Sequence, residues 1–418
     1  MKKYVIIGGG PAGATAAAEL RKRDPNSQIT IISDEKYVFY KRSQIIKLIS
    51  ASCTEEDLFI GGKDVFEKSK INFQNGHVKR VDTKNQQVIL EDNSSIQFDS
   101  LLIASGGKPT VIPWEGANLR GISTLYSLDD AKRVADLACD SEKVVVIGGG
   151  SIAMKIVQNF IKIGLDISII EKASHLWPVG FDRKVSRIIE NKLKDYGIHL
   201  YLKEEVEHFE GKDGRVSSVV LRSKKKIPCD LVIVTIGMRP SIEFLKDSEI
   251  IYHRGVITDE YMRTNISNVY AAGDVAETKD PLYNDFILHP TWGNAKKQAR
   301  IAAKNMTSNS VKYKGTIPIQ KIKVLNYLAI AAGITHSKKT YDEISWISYK
   351  NETARKVVLD GDRLIGLLIL GSKLDKKKLK KLMKKAIFKG LNITNPANLM
   401  LEANFGLEQL FEVSKYYP

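Results

Sequence analysis

Cysteine is nearly missing from these 418 residues: there are three, Cys53, Cys139 and Cys229, far apart and with no C-x-x-C pair. That spacing excludes a disulfide scaffold, a cysteine-rich metal site and a dithiol redox motif, and no metal ligands are assigned. Long apolar runs are missing too, since none approaches the ~20 residues that span a bilayer. The apolar stretch after Lys2 and Lys3 runs into glycines with no cleavage-like context, so it does not resemble a secretory leader. The expected location is the cytoplasm. Negative charge is in deficit, 48 Asp+Glu against 64 Lys+Arg, for a formal net charge of +16. Such a surplus suits acidic partners or an anionic surface, or reflects a lysine-rich source. Basicity without interleaved aromatics or a recognised module points away from nucleic acid.

What remains is ordinary globular material, 43% hydrophobic and 27% charged. The length suits two or three domains at about 100–200 residues each. Near the start stands "YVIIGGGPAGATAAAEL". Tyr4 to Ile7 is β-branched and apolar and predicts a buried parallel strand. Gly8-x-Gly10-x-x-Gly13 then predicts a tight turn into a helix opening at Pro11 and Ala12. Glycines belong where a backbone must turn sharply, approach a pyrophosphate and pack helix on strand. The helix N-terminus offers free N–H groups and partial positive charge to phosphates. A second strand, "QITIIS", ends at Asp34-Glu35. A carboxylate at that distance is the acceptor that a ribose diol needs.

The pattern recurs in "KVVVIGGGSIAMKIVQNF". Lys143 to Ile147 predicts a strand, and Gly148-x-Gly150-Ser151-Ile152-Ala153 a second turn, with alanine in the third position as a tolerated variant. The following strand, "DISII", ends in Glu171. A glutamate there accepts from a free 2′-hydroxyl and repels a 2′-phosphate, which favours NAD(H); the neighbouring Lys172 keeps NADP(H) open. Two nucleotide units in one chain suggest two redox cofactors, a nicotinamide and a flavin, with hydride passing between them.

Further along, "FDSLLIASGGKP" (98–109), "DLVIVTIGMRPS" (230–241), "TNISNVYAAGDVAE" (264–277) and "PTWGNAKKQARIAAKNM" (290–306) follow in order. With both turns, these segments resemble the two-dinucleotide-binding-domain flavoproteins of the pyridine nucleotide–disulfide oxidoreductase superfamily. The resemblance covers about residues 1–306. It implies an α/β fold with two Rossmann-like domains, the NAD domain inserted in the FAD domain, plus a small α/β C-terminal domain. The implied segments are 1–110 and 240–312 for FAD, 111–239 for NAD(P) and 313–418 for the interface domain. It also assigns cofactor contact to Arg42, Val78, Ala104, Ser105, Gly106, Gly237, Gly273 and Asp274, the aspartate holding the ribityl chain of FAD.

Within that superfamily, single-cysteine members carry a redox thiol at the position of Ser43. Here the run is Tyr40-Lys41-Arg42-Ser43. It resembles the rubredoxin reductase and nitrite-reductase flavin-subunit branch, in which no thiol relays electrons. The resemblance therefore implies an FAD-dependent NAD(P)H oxidoreductase serving an external acceptor, such as a small acidic electron carrier. An NADH oxidase reducing O2 and a non-catalytic flavoprotein subunit stand as alternatives, and a homodimer is compatible with the sequence. No catalytic acid or base is assigned, because hydride transfer needs alignment rather than proton transfer. Lys155 departs from the pattern, since it stands where the family usually has glutamate. Near the end, "RKVVLDGDRLIGLLILG" (355–371) predicts a hairpin about Asp360-Gly361-Asp362. The lysine-rich stretch 373–390 predicts an amphipathic helix, open to core packing with a solvated lysine face, to docking of an acidic carrier, or to anionic membrane contact.

Overall fold

The computed structural model describes residues 1–308, 310–335, 341–371 and 387. The predicted helix at 373–390 lies almost wholly outside them. By internal contacts the chain forms two compact units. One comprises Met1–Ile45, Cys53–Thr110 and Gly237–Thr316; the other comprises Ile46–Ser52, Val111–Ile236 and the described residues from Ile317 onward.

The first unit is built on a five-stranded parallel sheet. Its order is Val269–Ala271, Ser100–Ile103, Lys3–Ile7, Gln28–Ser33 and Asn72–Asn75. Lys3–Ile7 lies at the centre, with Ile7 level with Ile32 on one side and Ile103 on the other. A strand flanked on both sides and covered on both faces must be apolar throughout, which explains why it reads as a continuous β-branched run rather than an alternating one. Leu101, Leu102 and Ile103 are fully buried, each contributing about 1.5–3 kcal/mol of transfer free energy. Helices Pro11–Arg23 and Trp292–Met306 join the same core through small residues, Ala16 and Ala17 from one and Ala299, Ala302 and Ala303 from the other.

The second unit repeats the plan. Its parallel sheet runs His199–Leu202, Asp166–Glu171, Lys143–Ile147, Leu231–Val234 and Ile122–Ser123, again with the glycine-turn strand in the middle. Helices Leu128–Cys139, Ser151–Lys162 and Arg183–Asp195 accompany it. The two Rossmann-like sheets expected from the sequence are thus both present. This unit also carries a five-stranded antiparallel sheet formed by residues 319–371. In it Thr353–Asp360 pairs with Arg363–Gly371, Asp360 opposite Arg363, so the predicted hairpin turns on Gly361-Asp362. Among the described residues no helix is long and apolar enough to cross a membrane.

Candidate functional site

Each glycine turn is a backbone device whose geometry explains its residues. Gly8 has φ +112°, and a Cβ built on it would stand 2.2 Å from Ala104 O. The left-handed conformation and the close approach each call for glycine. Gly8 N–H donates to Ile32 O at 2.7 Å, which fixes the turn to the next strand. Gly13, one helical turn on, would drive a Cβ to 1.9 Å from Gly8 O. In the second unit Gly148 has φ +101°, its N–H donates to Ile170 O at 2.7 Å, and a Cβ would meet Thr235 O at 2.6 Å.

The middle glycines differ from their neighbours. Gly10 and Gly150 are the N-caps of their helices, and a Cβ on either would meet nothing within 4 Å. Neither helix start receives a side-chain cap. Among the described residues the other long helices are finished: Ser127 and Asp130 form a reciprocal capping box, Asp182 accepts from Val185 N–H, and Thr291 accepts from Asn294 N–H. Orphan N–H groups at a helix start are normally satisfied. Here two helix starts are left open behind bare glycines, with Pro11 at the first helical position of one and Ser151 at that of the other. That arrangement suits a phosphate at each turn.

The acids sit where the sequence puts them, at the C-terminal ends of the neighbouring strands, but they are held differently. Asp34 is exposed. Glu35 is half-buried, accepts from the Tyr40 hydroxyl at 2.5 Å and pairs with the Arg42 guanidinium, which also lies over the Tyr40 ring. A carboxylate retains acceptor capacity beyond two such bonds. Glu171 is gripped by main chain alone: Gly149 N–H donates to one oxygen at 2.6 Å and Ala173 N–H to the other at 2.7 Å. Trp177 N–H donates to Gly149 O at 2.9 Å and so folds the following loop over the turn.

The remaining assignments fall within the first unit. Ala104 and its neighbours leave the central sheet beside the turn, where Ala104 N–H donates to Ile7 O. Ser105 Oγ donates to Ser241 O at 2.7 Å, and Ser241 N–H to Gly106 O at 3.0 Å. Gly237, at φ +119°, accepts from Thr110 N–H at 3.0 Å. The two crossing segments are therefore stitched together where the chain leaves and re-enters this unit. Val78 is buried and opens a separate three-stranded antiparallel sheet, paired with Leu90. Gly273 follows the edge strand Val269–Ala271 with φ +89°, and its N–H donates to Gln298 Oε1 at 2.9 Å. Burial pushes the neighbouring Asp274 carboxyl up to about 6, with Arg42 pulling the other way.

Several contributors carry no distinct sequence signal. Thr235 bonds the second turn through its hydroxyl, and Trp177 and Gln298 act through backbone partners. Of these, Thr235 and Gln298 lie inside segments that the family pattern marks, and Trp177 does not. A buried His289–Asp280 pair, 2.6 Å apart, stands beside the start of the Trp292–Met306 helix and was not legible as a pair.

Two parallel sheets, each presenting a bare glycine turn, an uncapped helix start and a strand-end acid, define an α/β protein of paired Rossmann-like units. The chain belongs to the pyridine nucleotide-disulphide oxidoreductase family, whose sequence profile matches residues 2–303. It is 28% identical to the nitrite reductase [NAD(P)H] of Bacillus subtilis over 88% of this chain and 46% of that one. The chain spans about half the length of the first curated relatives it matches. It is 32% identical to the CoA-dependent NAD(P)H sulfur oxidoreductase of Pyrococcus abyssi, over 82% of this chain and 78% of that one. It is 30% identical to the NADH-rubredoxin oxidoreductase of Clostridium acetobutylicum, over 90% of this chain and 93% of the relative. The solved structure of that organism's NADH:rubredoxin oxidoreductase superposes with a TM-score of 0.79 at 26% identity, covering 94% and 97% of the two chains.

Proposed function

We propose that this chain binds FAD on its first unit and NADH on its second, and passes electrons to an external acceptor, a small acidic carrier protein such as a rubredoxin or ferredoxin. The observation that carries the proposal is the pair of uncapped helix starts at Gly10 and Gly150, each with a strand-end acid, where the other long helices among the described residues are capped. The domain limits proposed from the sequence go with this reading, as do the cytoplasmic location and the cofactor contacts assigned to Asp34, Glu35, Arg42, Val78 and Asp274.

FAD held there would supply the two-electron chemistry between NADH and the acceptor. The chain's own work is binding and alignment. The N–H groups behind Gly10 and Gly150 receive pyrophosphate oxygens, and no Cβ stands in their way. Asp34 or Glu35 accepts from the ribose of FAD, and Arg42 neutralises charge beside it. Glu171, preset by two backbone N–H groups, accepts from the adenosine ribose of NADH. No side chain needs to move a proton for hydride transfer.

Ser43 is the reason to favour an external protein acceptor over the chemistry named for the Pyrococcus relative. It is exposed, within the short helix Arg42–Lys47, and a serine hydroxyl cannot carry two electrons as a thiol does. A net charge of +16 complements an acidic carrier and speeds its encounter.

The test is anaerobic titration of FAD-loaded protein with NADH, followed by the loss of flavin absorbance. Stoichiometric bleaching, with reoxidation faster by rubredoxin or ferredoxin than by O2, supports the proposal. Reoxidation fastest with O2 would instead support an NADH oxidase. A flavin that stays oxidised with both NADH and NADPH would leave a non-catalytic subunit.

A further inference from the structure

We infer that Glu205 sets the choice between NADH and NADPH, by holding the Lys172 ammonium on a carboxylate beside the ribose subsite that Glu171 marks. The inference rests on the reading above, in which NADH docks at the Gly148–Ala153 turn.

The backbone brings these residues together. Glu171 ends its strand and Lys172 follows at once. The turn after His199–Leu202 runs alongside, with Lys203 N–H donating to Ala173 O at 3.0 Å and Glu204 N–H to Glu171 O at 3.2 Å. Those two bonds carry Glu205 to Lys172, whose Nζ lies 3.2 Å from Glu205 Oε1. The other oxygen of Glu205 is 3.8 Å from the Arg222 guanidinium, and Arg222 N–H donates to Glu205 O at 2.9 Å. Glu205 is thus fixed from two sides.

The electrostatic consequence is specific. A cation placed directly after the strand-end acid is the natural counter-ion for a 2′-phosphate. Glu205 neutralises that cation and adds a second carboxylate near Glu171, so a 2′-phosphate meets two acids and an occupied lysine. A free 2′-hydroxyl meets only an acceptor. Other cations nearby are similarly engaged: Lys224 bonds both oxygens of Glu207 at 2.7 and 2.8 Å, and Lys225 lies 4.6 Å over the Tyr201 ring. Lys203 is exposed and has no ion-pair partner among the described residues, and Arg222 loses its carboxylate whenever Glu205 is replaced, so both are competing cations to exclude.

Three variants of the FAD-loaded protein test this: Glu205→Gln, Glu205→Lys and the double variant Lys172→Gln/Glu205→Gln. Glu205→Gln should raise kcat/KM for NADPH about three- to fivefold and leave NADH within about twofold, the range of an exposed ion pair. Glu205→Lys should raise it about tenfold, the larger step of a charge reversal. The double variant should return to the wild-type ratio. Calorimetric titration with adenosine 2′,5′-bisphosphate against AMP should show the same order of affinities without any turnover. An unchanged NADPH-to-NADH ratio in Glu205→Gln overturns the inference. So does a gain that survives in the double variant, because Lys203, or the Arg222 that Glu205 also faces, would then be the cation. If neither nucleotide reduces the wild-type flavin and neither adenosine ligand binds, the docking reading itself fails and the inference falls with it.

Discussion

The two glycine turns share a backbone path and differ in their tolerances. At the third position of the first turn, a Cβ on Gly13 would stand 1.9 Å from Gly8 O. At the same place in the second turn, Ala153 carries a real methyl group and is fully buried. The second helix therefore stands far enough from its turn to admit one carbon. The acids differ as well. Glu35 is held by side chains, Tyr40 and Arg42, whereas Glu171 is held by the N–H groups of Gly149 and Ala173. A resident group can rely on side chains that settle around it once. A substrate that arrives and leaves on every cycle gains more from an acceptor fixed in advance, because less ordering remains to be done at binding.

The largest expected effect breaks this comparison at its tightest point. Gly13→Ala forces backbone to move between helix and turn, and should destabilise the first unit by about 3 kcal/mol or more, a core-overpacking magnitude. Purified protein should then lack flavin colour and melt early. Its mirror, Ala153→Gly, should cost only about 1 kcal/mol, the helix-propensity difference. Equal losses from the two substitutions would show that the turns are not distinguished by their packing.

Asp274 comes next, and has no counterpart in the second turn. Its carboxyl is raised to about 6 by burial, against the pull of Arg42. The folded value lies above the unfolded one, so the ionised form costs stability above about pH 6, and the cost disappears as pH falls below about 4. Holding this carboxylate ionised at pH 7 costs the fold about 3 kcal/mol at most. FAD-free protein should gain stability on acidification from pH 7 to pH 5, and Asp274→Asn should already have that gain at pH 7 and lose the slope. A thermal melt series of both proteins across that range decides it. A wild-type slope of the opposite sign would refute the assignment.

Smaller still, and cleaner, are the two open positions. A methyl on Gly10 or Gly150 meets no protein atom within 4 Å, so folding should be untouched and only ligands should notice. Gly10→Ala should weaken retention of FAD. Gly150→Ala should keep its flavin and bind NADH about tenfold more weakly, roughly 1.4 kcal/mol. Fluorescence titration of both nucleotides on both variants reads the pair. If both variants lose the same ligand, the division of labour between the units is wrong.

How much of this was legible in the sequence follows from the range of each signal. Strand, turn and helix at residues 4–20 and 143–160 were readable because apolar runs, glycines and helix formers sit next to one another. The hairpin at 360–363 was readable for the same reason. The acids were located, but not their grips. Nothing in "ISDEKYVFYKR" says that Tyr40 and Arg42 converge on Glu35 rather than Asp34. Glu205 lies 33 residues beyond Lys172, and only the pairing of His199–Leu202 with Asp166–Glu171 brings them together. Open helix starts were invisible too, since a missing cap is recognised only when the other helices are seen to have theirs.

Lys155 marks the finest difference between the turns. In the register that aligns Gly8 with Gly148 it occupies the place of Thr15, and it stands on the helix Ser151–Lys162 one turn beyond the open glycine. Its side chain reaches solvent, yet the protein around its stem lowers its pKa by desolvation, and no carboxylate pairs with it among the described residues. A lysine whose folded value is lowered costs stability while charged, and that cost is relieved as pH rises through the folded value. Because the residue as a whole is exposed, the cost is small. Lys155→Met should therefore raise the Tm at pH 7 by about 1–2 °C, and the difference should shrink as pH approaches 10. The same variant reports on function. If the ammonium serves nucleotide binding, the gain in Tm will come with weaker binding of NADH, and the second turn will have given up stability for that charge where the first did not. A lower Tm in Lys155→Met would instead mean that the charge is favourable where it stands.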